Sequence, residues 1–201
     1  MASKADDRRR ALRDNLIRIA EARIAADGLS ALRVRDLATD AGCALGAIYT
    51  VFGDLTDLVL AVNARTFTRL GTMVAESLAS APNHATEQLV VMAQAYHRFA
   101  AQHHNLWRAL FDVARPAGTQ PPDWYLADTA RLLGYISDPL RTLFPRMPAT
   151  DLALMTRALF SSMHGIVLLG LDQASVGVPQ GDVDRMIALI LRQITPHRAL
   201  S

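Results

Sequence analysis

The 201-residue sequence has a single cysteine, Cys43, and a single lysine, Lys4. One cysteine cannot form a disulfide within the chain, which excludes a disulfide-stabilised scaffold and indicates a reducing compartment. No segment alternates apolar and polar residues with the period of two that is typical of β-strands. The most apolar run, Gly165 to Leu171, is far shorter than the ~18 residues that a membrane-spanning helix needs.

Neither sign of charge is in large excess, because the formal net charge is only +2. Any binding to a polyanion must therefore come from a local patch. The first 13 residues contain such a patch, with five cations against two aspartates. They lack the apolar segment of a signal peptide, so we expect a cytoplasmic protein. The patch is a solvated tail, the polar face of an amphipathic helix, or a contact to DNA phosphates or the minor groove. Its arginines are Arg8, Arg9, Arg10 and Arg13.

What the chain does have, in nearly every segment, is apolar residues repeated at the three- and four-residue spacing of an α-helix. We predict an all-α protein of about nine helices. Three short helices lie before Asp54 and longer, more apolar ones after it, so we place one domain at 1–54 and a second at 55–201. The first helix ends at Gly28, and the next five span about 34–41, 44–51, 54–79, 85–103 and 107–111. A loop at 116–122 precedes the seventh helix, which Pro139 kinks or splits. The last two helices span 150–172 and 181–195.

One stretch of the short-helix region has a more specific pattern, AADGLSALRVRDLATDAGCALGAIYTVFGDLTDLVLAV. Two short helices joined by a tight turn with glycine form a helix-turn-helix. The stretch resembles the N-terminal domain of TetR-type transcriptional regulators over about residues 8–62. The resemblance implies a homodimeric repressor that binds double-stranded operator DNA and is released by a small ligand. It is carried by Gly28, Val34–Ala38, Ala41, Gly42, Gly46, Tyr49, Phe52 and Leu58.

The sequence departs from the family pattern at four positions, so that three of the usual phosphate-contacting groups are missing. Arg33 stands where many members cap the second helix with Ser or Thr. Ala44 and Leu45 replace a common Ser-Lys pair, and Leu55 replaces a common Lys. Arg33, Arg35 and the N-terminal arginines could compensate electrostatically. The alternative function is a helical small-molecule carrier, or an enzyme, that has lost DNA binding.

The third predicted helix carries no charge, which raises the question of whether it is core or a reading surface. Ile48 and Phe52 are four residues apart and predicted to be core, which leaves the other side chains outward. Such a helix can read DNA through methyl contacts to thymine, close backbone approach and a tyrosine–phosphate hydrogen bond, with the remaining specificity from DNA shape. A buried hairpin is the alternative. The predicted DNA-binding residues are Arg33, Arg35, Leu45, Gly46, Ala47, Tyr49 and Thr50.

The second predicted domain is rich in aromatic residues and methionine. Most of these pack in an ordinary core, but helical bundles also hold ligands in apolar pockets with a few polar groups. His164, Tyr96 and Arg108 are candidate polar groups, and they suit an amphipathic effector such as a fatty acid. The predicted effector-binding residues are Phe67, Met92, Tyr96, Phe99, Trp107, Phe111, Trp124, Phe160, Met163 and His164.

Other chemistry has little support in the sequence. His97 and His104 can share a helix face, but no acid or cysteine nearby completes a metal site. The serines before His164 do not form the Gly-x-Ser-x-Gly nucleophile motif. We therefore expect no metal, no cofactor and no catalytic residue. Cys43, in the turn, is interpreted as a small structural hydrophobe rather than a redox sensor.

The last two long helices have apolar stripes too broad for one buried side. Ser161, Ser162, Gly165 and Gly170 would let helices approach closely. Since a closed two-fold dimer is the commonest oligomer, we predict a four-helix interface from 150–172 and 181–195 of each chain.

Overall fold

The computed structural model describes residues 3–113, 120–172 and 177–195, and within these ranges the chain forms nine α-helices and no strand. The prediction of an all-α fold is confirmed. The predicted loop at 116–122 lies largely outside the described residues. The helices are α1 (Lys4–Asp27), α2 (Val34–Asp40), α3 (Leu45–Tyr49), α4 (Leu55–Ala79), α5 (Ala85–Gln102), α6 (His104–Ala109), α7 (Asp123–Leu143), α8 (Ala149–Leu171) and α9 (Val183–Ile194).

The chain divides into two compact units, each of which combines distant parts of the sequence. The first unit comprises residues up to Thr68 together with His103–Tyr125. The second comprises Arg69–Gln102 and the chain from Leu126 onward. Helix α4 is shared, since its residues fall in both. The predicted domains, 1–54 and 55–201, divide the chain by helix length and apolarity, and they stay a prediction.

The first unit is built around aliphatic side chains from α1 to α4 and α6. Leu16, Ile24, Leu37 and Leu58 are fully buried in this core, and Ile48 of α3 joins them. Leu106 and Ala109 of α6 complete the same cluster. Burying such side chains is what holds helices as short as α2 and α3, which would not be stable alone.

The end of α1 is fixed by a glycine and by a side chain from far along the sequence. Gly28 has φ 79° and ψ 169°, a conformation open to glycine, and its N–H donates to the Ile24 carbonyl. The Asn105 amide donates to the carbonyls of Ala25 and Ala26, at 3.0 and 3.2 Å. Asn105 thus satisfies carbonyls that the helix end leaves without partners.

The second unit packs α5, α8 and α9 together. Leu89, Met163, Val167, Ile187 and Leu191 are among its buried side chains. Polar pairs also join α5 to α9, because the Thr86 hydroxyl donates to Thr195 at 2.9 Å and Arg192 makes two hydrogen bonds to Glu87, both at 2.8 Å.

Three details differ from the predicted helices. Pro139 lies inside one continuous α7 and does not split it. Helix α6 begins at His104 and ends at Ala109, so Leu110 and Phe111 lie just beyond it. Gly170 is buried, and a Cβ there would lie 2.3 Å from Val183 Cγ2. The closeness that Gly170 permits is therefore between α8 and α9 of the same chain.

One described helix, α8, is long and apolar enough to span a membrane by composition, with a mean hydropathy of 1.5 over 18 residues. A helix of a packed core passes the same test, so this is weak evidence for a membrane segment. Leu152, Leu159, Met163 and Val167 of α8 are buried within the chain at helical spacing. Asp151 and Arg157, in contrast, are exposed.

Candidate functional site

The turn between α2 and α3 has a defined geometry that presents α3 at the surface. The N–H groups of Gly42 and Cys43 donate to the carbonyls of Thr39 and Ala38, at 3.1 and 3.0 Å. This is the Schellman arrangement, and it needs the positive φ of 63° that Gly42 adopts. Cys43 packs partly buried against the core, as expected of a small structural hydrophobe.

Helix α3 has one buried face and one exposed face. Ile48 is 2% exposed and Phe52 is buried, as predicted for core residues. Leu45, in contrast, is 43% exposed and Tyr49 52% exposed. The predicted outward face is therefore real, and the buried-hairpin interpretation of the whole helix is wrong. Of the predicted reading residues on α3, Leu45, Gly46, Tyr49 and Thr50 are exposed and Ala47 is half-buried.

The two polar side chains of this face differ in their local bonding. The Thr50 hydroxyl donates to the Ala47 carbonyl at 2.7 Å. This hydrogen bond directs the Thr50 hydroxyl to a carbonyl in the last turn of α3. Tyr49, by contrast, extends its phenol from a half-exposed side chain.

Arg33 and Arg35, the predicted cationic contacts, are exposed. Arg33 is the N-cap residue of α2, in an extended conformation and without a capping side-chain bond. Its guanidinium instead donates to the carbonyls of Ser30 and Leu32, at 2.5 and 3.1 Å. Part of its hydrogen-bonding capacity therefore stabilises the turn before α2.

The orientation of α2 is also tied to α1. Arg23 donates to the Asp40 carboxylate at 2.6 Å and lies 3.7 Å from Asp36. The hydrogen bond from Arg23 lowers the pKa of Asp40 below its usual value. These acids place negative charge on α2, so they work against phosphate binding at that helix.

The N-terminal arginines belong to α1 and are exposed along it, which supports the helix-face interpretation over a loose tail. A capping box of Ser3 and Asp6 starts this helix. The hydrogen bonds from Ser3 hold the pKa of Asp6 below its usual value. Arg10 pairs with Asp7, while the Arg13 guanidinium lies 5.1 Å from the centre of the Phe52 ring, a cation–π contact.

Helix α4 follows α3 after a short turn, and Asp54 caps it as predicted. The Asp57 N–H donates to the Asp54 carboxylate at 2.8 Å, and the Asp57 carboxylate accepts from the Gly53 N–H at 3.0 Å. Leu55, the first residue of α4, is half-buried against the core. It therefore packs in the first unit at the position where a lysine is common.

Of the ten predicted effector residues, three in the second unit form a connected group. The Tyr96 hydroxyl lies 2.7 Å from His164 Nδ1. Phe160 stacks on the His164 ring at 5.7 Å and meets Tyr96 edge-on at 5.9 Å. His164 and Phe160 are half-buried. Met92, Phe99 and Met163 are buried in the same unit.

The other four predicted effector residues belong to the first unit. Trp107 is fully buried and contacts Phe111 edge-on, with ring centres 5.7 Å apart. Phe67 contacts Tyr125 at 5.2 Å, and Trp124 is half-exposed beside the same tyrosine. The effector-binding role of all ten residues stays a prediction.

Asn63 is a buried polar residue that the sequence analysis did not single out. Its side-chain amide donates to the Ala109 carbonyl at 3.0 Å, while its Oδ1 is buried without a hydrogen-bond partner. The sequence contained a sign of this buried polar group, because Asn63 is a polar residue beside Val59 and Val62 on the apolar face of α4.

One open groove of about 590 Å³ lies at the turn from α7 to α8. It contains none of the predicted effector residues. Its walls are Phe144, Pro145, Arg146, Met147, Pro148 and Asp151. An open groove of this kind encloses a ligand poorly, so it is a weaker candidate site than the Tyr96 group.

Helices α8 and α9 expose large apolar side chains. The exposed residues are Leu154 and Leu169 on α8, and Leu189, Ile190 and Ile194 on α9. Ser161 and Ser162 lie on the exposed side of α8, and a Cβ added at Gly165 would meet open space.

Within the described ranges, no group of three or more histidine, cysteine, aspartate or glutamate side chains could hold a metal ion. His97 instead pairs with Asp184 of α9, with Nδ1 and Oδ1 2.8 Å apart. The expected lack of a cofactor and of catalytic residues stays an expectation.

Comparison with known proteins identifies a family. Residues 89–194, just over half of the chain, match the family model described as tetracyclin repressor-like, C-terminal domain. The matched region therefore runs from within α5 to the end of α9. None of the curated proteins matches the chain.

Solved structures share the fold along nearly the whole chain. RolR, solved in complex with resorcinol, is 19% identical with a TM-score of 0.70 and covers 96% of this chain and 92% of its own. A TetR transcriptional regulator from Rhodococcus sp. RHA1 is 16% identical with a TM-score of 0.64, covering 94% and 98%. A tetR-family regulator from Streptomyces coelicolor is 18% identical with a TM-score of 0.65, covering 92% and 80%. The TM-scores and coverage establish a shared fold, and at identities this low they establish nothing more.

Proposed function

Because the chain belongs to the TetR family of transcriptional regulators, we propose that it is a cytoplasmic repressor that binds operator DNA as a homodimer. A small apolar or amphipathic effector releases it. The DNA-reading residues are those predicted from the sequence on α2 and α3. The observation that carries the proposal is the two-faced helix α3, with Ile48 in the core and Leu45 and Tyr49 exposed after a tight turn.

The exposed apolar side chains on α8 and α9 support the proposed homodimer. Leu154, Leu189 and Ile190 are exposed in the single chain, and exposed apolar surface of this kind favours association. The small residues Ser161 and Gly165 on the same helix leave room for a partner helix. The interface we propose is the two-fold bundle of α8 and α9 from each chain.

The Tyr96–His164 pair supports an effector with a polar head and an apolar body. Its two side chains already share a short hydrogen bond among aromatic and methionine residues. A carboxylate or hydroxyl group could replace or extend that bond, while the apolar residues contact the rest of the ligand. Long-chain acids and small phenols are the first probes, the latter because the structurally similar RolR was solved with resorcinol.

Release from DNA would act through α4, which starts beside α3 and is shared by both units. A change in α4 would alter the spacing of the two reading helices of a dimer. Half-sites on one face of B-DNA lie ~34 Å apart or at multiples of that, so a small shift prevents simultaneous docking. The effector must bind the DNA-incompetent form more tightly, and typical couplings are about 1–3 kcal/mol.

The DNA-binding proposal is tested by fluorescence anisotropy of the full chain with duplexes from its own upstream region. Measurements at several salt concentrations are needed, because phosphate contacts make affinity fall as salt rises. We expect saturable, sequence-specific binding by a dimer. Binding that is equally weak for all duplexes would contradict the proposal.

The effector proposal is tested by titration of long-chain acids and phenols while tryptophan fluorescence and operator binding are recorded. Replacing Tyr96 by Phe or Phe111 by Ala should weaken the response and leave operator affinity largely intact. Tyr135→Phe, outside the predicted site, is the matched control. If no lipophilic compound changes fluorescence or DNA binding, the proposed effector class is wrong.

The second candidate function, a carrier or enzyme without DNA binding, is favoured by one observation. Helix α3 carries no charged residue, and Arg33 is partly used by carbonyls of its own turn. Binding of lipophilic compounds by a protein that binds no DNA sequence would select this alternative.

A further inference from the structure

The exposed face of α3 has few side-chain hydrogen-bonding groups for a surface that binds DNA. Leu45, Gly46 and Ala47 have no side-chain donor or acceptor. Thr50 has a hydroxyl, but that hydroxyl donates to the Ala47 carbonyl at 2.7 Å. The Tyr49 side chain is 52% exposed, and the Thr50 oxygen keeps only its acceptor capacity for a base.

This inventory excludes most of the hydrogen-bonded base contacts of the major groove. Guanine is read by bidentate Arg or Lys, adenine by Asn or Gln, and cytosine by Asp or Glu. None of these residue types occurs from Ala41 to Gly53. The one apolar feature that a base edge presents in this groove is the C5-methyl group of thymine.

We infer that α3 recognises thymine methyl groups, through the exposed Leu45 side chain and the Thr50 methyl group. This rests on the proposed DNA-binding function and names the bases that the reading helix selects. The bond from the Thr50 hydroxyl fixes its rotamer, so the methyl group has a defined position on the exposed face. Leu45, at 43% exposure, offers a larger apolar surface near the start of the helix.

The positive charge near α3 comes from neighbouring helices, and it does not distinguish one base from another. Arg35 on α2 and the N-terminal arginines of α1, from Arg8 to Arg13, are exposed and suited to phosphate contacts. Affinity would then come largely from these arginines. The preference among base pairs at the positions under α3 would come from methyl contacts, which do not depend on salt.

The experiment starts from a randomised duplex library selected on the full-length protein, followed by anisotropy on the selected duplex at one stated salt concentration. Each thymine in a half-site is then replaced in turn by deoxyuridine, which removes the methyl group and nothing else. We expect a loss of about threefold to fivefold in affinity at two or more positions of each half-site, from the transfer free energy of one methyl-sized group.

Protein variants assign each methyl group to its side chain. Thr50→Ser deletes only the side-chain methyl and should abolish the thymine–uracil difference at one position, while Leu45→Ala should abolish it at another. Thr142→Ser is the matched control, since its exposed hydroxyl also donates to a carbonyl of its own helix. Leu126→Ala is the control for Leu45, with 42% exposure against 43%. Circular dichroism verifies that all four variants are folded.

The outcomes separate this inference from the proposed function. Sequence-specific binding that is unaffected by uracil at every position would overturn the methyl recognition and leave the DNA-binding function standing. A library that yields no specific duplex would overturn both. Uracil effects that persist unchanged in Thr50→Ser and Leu45→Ala would also reject the assignment to these two side chains.

Discussion

Two regions of the chain expose apolar side chains, and they differ in what surrounds them. On α3 the exposed residues are Leu45 and Tyr49, on a helix of five residues. On α8 and α9 they are spread over helices of 23 and 12 residues, with Leu154 and Leu189 among them. The first surface is short and accompanied by the exposed arginine Arg35 on α2. The second is long and lined with small residues.

The difference indicates two kinds of partner. A short apolar surface near cations suits the groove of a polyanion, where phosphates lie beside base edges. A long apolar stripe with small residues suits another helix of the same kind, since only a large apolar area stabilises a permanent dimer. Exposure alone would not distinguish them.

The largest expected effect comes from a charge in the long stripe. Leu189→Glu should convert the dimer to a monomer at micromolar concentration, because a carboxylate buried without a partner costs several kcal/mol, or about 100-fold or more in dimer affinity. Sedimentation velocity measures this. Leu126→Glu, on an exposed leucine outside the stripe, should leave the dimer intact. A wild-type monomer would contradict the proposed interface directly.

The next effect separates the two faces of α3. Ile48→Ala should lower the free energy of unfolding by about 2–4 kcal/mol, since it leaves a cavity in the first unit, whereas Leu45→Ala should change it by about 0.5 kcal/mol or less. Urea denaturation compares the two variants. Equal losses would mean that α3 does not have the buried and exposed faces described above.

A smaller effect is expected from the phenol on the reading face. Tyr49→Phe removes one hydrogen-bonding group and should weaken binding to all duplexes by about fivefold to tenfold, as the loss of one phosphate contact does. Anisotropy with several duplexes tests this, with Tyr135→Phe as control. If the loss is confined to one base position, Tyr49 reads a base instead of a phosphate.

The contact between α5 and α9 should make the stability of the protein depend weakly on pH. The hydrogen bonds from Arg192 hold the pKa of Glu87 below its usual value of 4.5. A depressed folded-state pKa means that the contribution to stability is present above about pH 4.5 and is lost as pH falls through the folded value. Glu87→Gln should therefore lower the melting temperature slightly at pH 7. The gap to wild type should close in acid, and a gap that is the same at every pH would contradict this.

The smallest expected change is a gain. Ala44 is the N-cap residue of α3, has extended backbone angles and makes no capping bond. Ala44→Ser should stabilise the protein by about 0.5–1 kcal/mol, because a serine hydroxyl can accept from an N–H of the first turn. Thermal unfolding measures the gain. No change would mean that the α3 N-terminus already has its N–H groups satisfied.

Local features of the fold could be predicted because their causes are local. The apolar spacing and the caps placed the helices near their observed ends, and Gly28 and Gly42 both have the positive φ that their positions require. The buried and exposed sides of α3 also followed from spacing, as Ile48 and Phe52 show.

Features that depend on distant pairs or on rotamers could not be predicted. Asn105 reaches the end of α1 across about 80 residues of sequence. The Arg33 guanidinium donates to the carbonyls of Ser30 and Leu32, a choice among rotamers that no periodicity encodes. Tyr96 and His164 were singled out separately, but their hydrogen bond depends on how α5 packs against α8.

The contact of Asn105 with the end of α1 has a consequence for protein engineering. A chimera that exchanges only residues 1–54 between regulators would separate α1 from the side chain that completes its C-terminus, and from Leu106 and Ala109 in the same core. Such a hybrid would inherit a mismatched asparagine and two foreign core positions. A portable reading module must therefore be transplanted as two pieces of sequence, the helices up to the first part of α4 and the segment around α6, exchanged together.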